Sequence, residues 1–350
     1  MNNSGTTTLR RITLDTNPDH CNLNCIMCED HSPYSESRPE RKRKGTLRPI
    51  MRKELLQRVL REAVTLGVTE IIPSTMGEPL LYPHFDEILA LCHEYKLSLN
   101  LTTNGTFPGP GETGNAEYWA ERICPVGSDV KISWNGATAA THEAVMLGAK
   151  LEHHLSNAKR FIAVRDKVYA QQGHYCSITM QLTFLESNLD EIPAMVRQAI
   201  GLGLDRVKGH HLWSHFDQIK GESLRRDVLD IERWNHTVRE CQDIAGQHNA
   251  RGGKTLKLDN FFELDPARRD EIAKDGECPF LNKEAWVDPA GRFNVCCAPD
   301  KQRETLGDFG NLRESSLAEI ISSEAYQDLC RNYMNNQLCQ GCNMRKPPGS

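Results

Sequence analysis

Three cysteines, Cys21, Cys25 and Cys28, fall within eight residues near the start of the chain. A free thiol is easily oxidised, and three on one short loop invite wrong disulfides unless something holds them. A soft metal does so. A [4Fe–4S] cluster ordinarily takes four cysteine ligands, so three would leave one iron with an open position. An open position is what separates a reactive metal centre from a structural one. A second constellation lies towards the other end: Cys278, Cys296, Cys339 and Cys342, enough thiolates to complete a further cluster. The alternative is zinc: a knuckle at the first group with a fourth ligand such as His20 or His31, and a four-cysteine ribbon at the second.

The 350 residues are ample for a buried core and suggest one large domain with a smaller one. Of the 13 cysteines, three lie at 21–28 and six between 278 and 342. The other four, Cys92, Cys124, Cys176 and Cys241, sit singly in helical or strand-like segments and read as core packing, as do Cys297 and Cys330. A formal net charge of −5 leaves no nucleic-acid footprint. No segment approaches the ~18 apolar residues of a membrane span, and Met1–Arg11 lacks the apolar stretch of a signal peptide. These features predict a cytoplasmic protein, where thiols in this number are metal ligands or buried groups rather than disulfides.

The elements that must position the first cysteines alternate. Residues 10–16 read as a strand entering the cysteine loop, and 29–49, with Arg41-Lys42-Arg43-Lys44, as a solvated polar loop or a lid for an anionic substrate or donor protein. Helical periodicity at 53–66, 85–95, 115–123, 140–170 and 189–202 alternates with short apolar strands at 69–74, 97–103, 129–134, 176–185 and 205–213. Six strands separated by helices predict an α/β fold with a parallel sheet closing into a partial barrel. Ligands in such sheets bind beyond the carboxyl ends of strands. There the chain places Met76-Gly77-Glu78-Pro79, Thr103-Asn104-Gly105, Ser133-Trp134-Asn135-Gly136, and Lys208 with His210, His211 and His215. Gln181 lies with Thr179 and Thr183 on one face of the fifth strand by its period of two. His210 and Lys208 are the candidates there for substrate contact or proton transfer. Residues 223–250 read as a helical linker and 286–297 as a β-hairpin followed by a helix at 315–333, a module small enough to need a metal staple.

The Cys-x3-Cys-x2-Cys spacing resembles the signature of the radical S-adenosylmethionine (SAM) superfamily, and the Gly-Glu-Pro and Asn-Gly strand endings agree with it. The resemblance implies a (β/α)6 TIM-like partial barrel over 10–220, a helical linker over 221–262, and a C-terminal SPASM/twitch domain over 263–350. It also implies two [4Fe–4S] clusters. One would sit on Cys21, Cys25 and Cys28, where SAM is cleaved to a hydrogen-abstracting radical, and an auxiliary one on Cys278, Cys296, Cys339 and Cys342. SAM would be contacted by Met27, Gly77, Glu78, Asn104, Ser133, Asn135 and Gln181. Asn135 stands where relatives carry an acid, and Met146-Leu147-Gly148-Ala149-Lys150 lacks the arginine often found there. The auxiliary ligand spacing is similar to that of 2-deoxy-scyllo-inosamine dehydrogenase. With no room before the first strand for a separate peptide-binding domain, this predicts a small carbohydrate, aminocyclitol or nucleoside substrate. That substrate would be oxidised with His210 as base and with an electron donor such as flavodoxin or ferredoxin. The alternatives are a peptide maturase, an epimerase using Cys297 as hydrogen donor, and a zinc-binding interaction protein.

Overall fold

In the computed structural model of the chain the described residues are 9–73, 76–109, 115–268, 276–342, 344 and 345. In order the elements are β1 (Arg11–Leu14), α1 (Ser37–Lys44), α2 (Lys53–Thr65), β2 (Glu70–Ile72), α3 (Phe85–Tyr95), β3 (Ser98–Thr103), α4 (Ala116–Ile123), β4 (Gly127–Ser133), α5 (Ala139–Val145), α6 (Leu151–Gln172), β5 (Ser177–Phe184), α7 (Ile192–Leu202), β6 (Arg206–His211), α8 (Val228–Ala250), β7 (Lys257–Asp259), β8 (Glu284–Val287), β9 (Phe293–Asn294), α9 (Asp300–Arg303), α10 (Leu317–Ser322), α11 (Glu324–Asn332) and α12 (Gln337–Gln340). The helices follow from apolar spacing: α2 buries Leu55, Leu56, Val59, Leu60 and Ala63, three and four residues apart along one face.

The chain forms two compact units. The first holds the described residues of 1–18, 48–99 and 271–350, and the second those of 19–47 and 100–270. In the first, strands run in the order β3-β2-β1-β8-β9. The C-terminal strand β8 lies parallel to β1, with Arg11 opposite Glu284 and Thr13 opposite Trp286, and β9 returns antiparallel to β8. This pairing of the chain's two ends had no sign in the sequence. It is held by buried polar groups: Glu284 accepts from Thr13 Oγ1 at 2.5 Å and meets Arg11 at 3.3 Å, while Arg11 also pairs with Glu70 at 2.5 Å. Burial raises the Glu284 pKa, and Thr13 and Arg11 offset only part of that.

In the second unit the order is β7-β6-β5-β4-β3, and the pairings β4–β5, β5–β6 and β6–β7 are all parallel. β7 thus adds a further parallel strand beside β6, beyond the six strands expected from the sequence. Three other readings need correction. The helix expected over 140–170 is two, α5 and α6, parted by Met146–Lys150. Gly148 there has φ +94°, and a Cβ on it would come within 3.3 Å of Leu23. The break receives the cysteine loop, since Asn24 N donates to Leu147 O and Ile26 N to Val145 O. The polar stretch 29–49 is not all loop but contains α1. The helix over 315–333 is divided at Ser323, whose hydroxyl caps α11.

Candidate active site

In the second unit the loop carrying Cys21, Cys25 and Cys28 contributes Leu23 to a buried cluster with Val145, Met146, Ala149 and Leu185, and Cys21, Cys25 and the half-buried Met27 pack against it. The thiols are close enough to sense one another: burial, then Cys28 and Cys21, push the Cys25 thiol far up. Backbone N–H groups already point at sulfur, from Leu23 to Cys21 Sγ at 3.5 Å and from His31 to Cys28 Sγ at 3.4 Å. Uncharged thiols gain little from such donors. Thiolates bound to iron gain a good deal, and hydrogen bonds to sulfur tune a cluster's potential. Among the described residues no three His, Cys, Asp or Glu groups are arranged to hold a single metal ion.

Asn104, at the end of β3, is pinned beside these thiols. Its Nδ2 donates to Asn22 Oδ1 at 2.7 Å and lies 3.7 Å from Cys21 Sγ, while its Oδ1 accepts from Thr106 Oγ1 at 2.6 Å. Its carbonyl oxygen lies 2.6 Å from His154 Nε2, and Asn157 Nδ2 donates to the next carbonyl, that of Gly105, at 3.0 Å. His154 is buried and its pKa is lowered, chiefly by that burial. Sequence reading missed His154 and Asn157. Both sit on α6, far from any motif, and the one available signal was polar residues at buried spacing on an otherwise apolar helix face.

The strand rows sort the polar residues of the second unit into two layers. Thr179 is opposite Lys131 and Arg206. This layer is a satisfied network: Asp129 accepts from Thr179 at 2.8 Å and pairs with Arg206 at 2.8 Å, and Arg206 reaches Asp259 at 3.0 Å. One step further along, Ser133, Gln181, Lys208 and Asp259 stand in a row, one from each of β4 to β7. His210 follows Lys208 by two residues and so shares its face, with Nδ1 at 3.4 Å from Gln181 Nε2. His210 is exposed at the strand end, and the protein around it together with Lys208 lowers its pKa to about 4. Of the other histidines at this strand end, His211 is buried against Phe184 and Trp234, and His215 is half-buried. Asn135, at the end of β4, is engaged with the neighbouring strand. It is buried, and its Oδ1 accepts from Thr183 N at 2.9 Å.

In the first unit Gly77 has φ +76° and Glu78 is buried, with Oε1 accepting from Leu80 N at 3.2 Å and its carbonyl held by Asn17 Nδ2 at 2.8 Å. Ser74 and Thr75, ahead of this turn, lie outside the described residues. Cys278, Cys296, Cys339 and Cys342 converge in the same unit. The Cys339 thiol is pushed up to about 12 by burial and then by the other three, and that of Cys296 to about 11 by burial above all. Leu281 N and Met344 N point at Cys278 Sγ and Cys342 Sγ, at 3.5 and 3.4 Å. Cys92, Cys124, Cys176 and Cys241 are buried as expected, and Cys330 is half-buried. Cys297, expected in the core, is exposed instead. It follows Cys296 just after β9, where the chain turns out of the hairpin. Its surroundings still raise its pKa well above the ordinary value, so the thiol stays protonated.

With this geometry in hand, comparison with known proteins defines the class. Residues 18–199 match the radical SAM superfamily and residues 278–343 the SPASM iron-sulfur cluster-binding domain. The chain belongs to the radical SAM superfamily, whose members use SAM and [4Fe–4S] clusters. It is 24% identical over 336 residues to the tungsten-containing aldehyde ferredoxin oxidoreductase cofactor-modifying protein of Pyrococcus furiosus, covering 93% of this chain and 85% of that one. It is 26% identical over 301 residues to the PqqA peptide cyclase of Methylobacterium nodulans, covering 83% and 70%. The crystal structure of Streptococcus suis SuiB bound to S-adenosylmethionine matches with TM-score 0.65 at 15% identity, over 96% of this chain and 72% of that one. The fold is thus the α/β partial barrel of parallel strands with a C-terminal SPASM domain. The expected likeness to 2-deoxy-scyllo-inosamine dehydrogenase is weak: BtrN in complex with AdoMet and 2-DOIA reaches a TM-score of 0.46. No helix among the described residues is long and apolar enough to cross a membrane.

Proposed function

We propose that this chain is a radical SAM enzyme that modifies a peptide, oxidising it by removal of hydrogen. The observation that carries the reading is the similarity to a PqqA peptide cyclase over 83% of the chain. It displaces the small-carbohydrate expectation, which rested on ligand spacing and on the short lead before β1.

Cys21, Cys25 and Cys28 would hold the catalytic cluster, with the N–H groups of Leu23 and His31 and the carboxamide of Asn104 turned towards the sulfurs. Cys278, Cys296, Cys339 and Cys342 would hold an auxiliary cluster. When bound, SAM and the clusters supply one-electron cleavage of SAM, hydrogen-atom abstraction and an acceptor for the second electron. Gly77 and Glu78 remain the residues that the resemblance assigns to the SAM amino group, with Met27, Asn104, Ser133 and Gln181 as further contacts. His210 is neutral at pH 7 because its pKa lies near 4. The Gln181 carboxamide nitrogen lies 3.4 Å from His210 Nδ1, and the neutral imidazole is the group available to take a proton from the oxidised carbon.

The test is co-expression with short open reading frames flanking the gene, followed by mass spectrometry of the encoded peptides. A peptide lighter by two hydrogens, formed only with intact Cys21, Cys25 and Cys28, is the expected result. Unchanged peptides together with oxidation of an aminocyclitol by the same cluster-loaded protein would overturn the reading.

A further inference from the structure

Helix α1, Ser-Arg-Pro-Glu-Arg-Lys-Arg-Lys, buries none of its side chains completely. A helix without an apolar face has little reason to stay in place unless polar groups tie it down. Here they do so on one side. Arg41 Nη2 meets Asp19 Oδ1 at 2.6 Å and Asp30 Oδ1 at 2.8 Å, and Arg38 Nε donates to the Asp19 carbonyl at 2.8 Å. Asp19 and Asp30 are buried, and they bracket the cysteine loop, two residues before Cys21 and two after Cys28. The helix is therefore fastened to both flanks of the loop.

Its other side faces solvent. Lys42 and Arg43 are exposed and form no ion pair among the described residues, and Lys44 pairs only with the equally exposed Glu40, at 2.6 Å. Tyr34 and Leu47, two large apolar side chains that the fold leaves exposed, flank the helix in sequence. Cations beside exposed apolar side chains make the composition of a transient docking surface. The chain as a whole carries −5, so general electrostatics would repel an acidic protein and this patch would orient one.

We propose that α1, with Tyr34 and Leu47, is the docking face for an acidic one-electron carrier protein of the flavodoxin type. This rests on the function proposed above, which needs a donor. In the step it serves, the carrier's flavin hydroquinone loses one electron and becomes the semiquinone, and the electron passes to the iron-sulfur group on Cys21, Cys25 and Cys28. The tie from Arg41 through Asp30 brings the docked carrier to the flank of that loop.

The test uses the full, cluster-loaded chain and a purified acidic flavodoxin as probe. The charge-reversed variant Lys42→Glu/Arg43→Glu and the neutral variant Lys42→Gln/Arg43→Gln are compared with the unaltered chain. Flavodoxin binding is read by calorimetry at low and high ionic strength, and SAM cleavage is driven by reduced flavodoxin or by dithionite. Charge reversal is expected to weaken binding and raise the half-saturating flavodoxin concentration about tenfold or more. The neutral variant should show a smaller effect, added salt should weaken binding to the unaltered chain, and the dithionite-driven rates should not change. Unchanged flavodoxin binding in both variants overturns the proposal. So does an equal loss with dithionite, which would make α1 a support for the cluster, or a defect confined to binding of an anionic peptide. If the unaltered chain fails to cleave SAM with dithionite, the proposed function falls, while calorimetry still decides the docking face.

Discussion

Gly105→Ala tests whether the end of β3 positions the cysteine loop. Gly105 has φ +79°, and a Cβ there would lie 2.7 Å from His154 Cδ2, 2.8 Å from His154 Nε2 and 2.8 Å from Ile132 Cγ2. The left-handed backbone alone costs an alanine about 1–2 kcal/mol. Forcing a methyl into a filled site adds about 1–3 kcal/mol. Neither ring nor strand can yield freely, because the ring is held at 2.6 Å from the Asn104 carbonyl. The sum, roughly 2–5 kcal/mol, is a large part of the ~5–15 kcal/mol that stabilises a protein of ordinary stability. Gly45 is the matched control, with φ +68° and nothing within 4 Å of a new Cβ. Gly45→Ala should therefore cost only the backbone share. Displacing His154 should also pull Asn104 from Cys21 and Asn22, lowering iron at the first site while sparing the second. The assays are denaturant unfolding and iron content under anaerobic conditions, with electron paramagnetic resonance to separate the two clusters. If Gly105→Ala is no less stable than Gly45→Ala and keeps its iron, then crowding by His154 does not position Asn104, and the argument fails.

Acid should destabilise the fold through two histidines buried as neutral rings. Burial above all lowers the pKa values of His142 and His211 to about 3. The unfolded chain therefore takes up protons that the folded chain refuses. Stability is full above the ordinary histidine pKa of ~6.5 and falls as pH drops towards about 3, by roughly 2 kcal/mol per ring at pH 5. His142→Leu, which also removes a buried Nε2 that has no hydrogen-bond partner among the described residues, should flatten the measured pH slope of unfolding by one ring's share; an unaltered slope refutes this. Cys339→Ala should halve the iron and abolish peptide product while SAM cleavage with dithionite persists, and an unchanged iron content would remove Cys339 from the ligand set. Cys297→Ala should leave iron and SAM cleavage intact. A large fall in product with deuterium lost from its expected position would show that the exposed thiol donates hydrogen; normal product would show that it does not.

What was legible in the sequence was whatever depends on local spacing. The three cysteines of the first loop, the strand–helix alternation and the Cys-x2-Cys at 339–342 are short-range patterns, and the elements from α2 to α7 fall close to where periodicity placed them. What was hidden depends on partners distant in the chain. Nothing in 284–287 announces that it pairs with 11–14. The break at Met146–Lys150 serves the cysteine loop, so helical periodicity ran straight through it. The run Arg41–Lys44 read as solvated because pattern alone could not show that Asp19 and Asp30 hold Arg41. Alternation along a strand would send Cys297 opposite Cys296 and into the core, but the strand ends at Asn294.

The two polar layers of the second unit suggest how such a site can be both rigid and reactive. In the first layer every charge has its partner: Arg206 lies between Asp129 and Asp259, and Thr179 completes the network. A satisfied buried network fixes strand register and resists rearrangement. The next row, two residues further along the same strands, inherits that register. Besides Lys208 and Asp259 it carries a hydroxyl at Ser133 and a carboxamide at Gln181, with the imidazole of His210 two residues beyond Lys208. On the function proposed above, Gln181 in this row and His210 beyond it would meet substrate, while the network beside them fixes the fold. Substitutions at Gln181 or His210 should alter which substrate is processed, and substitutions at Asp129 or Arg206 should alter whether the protein folds.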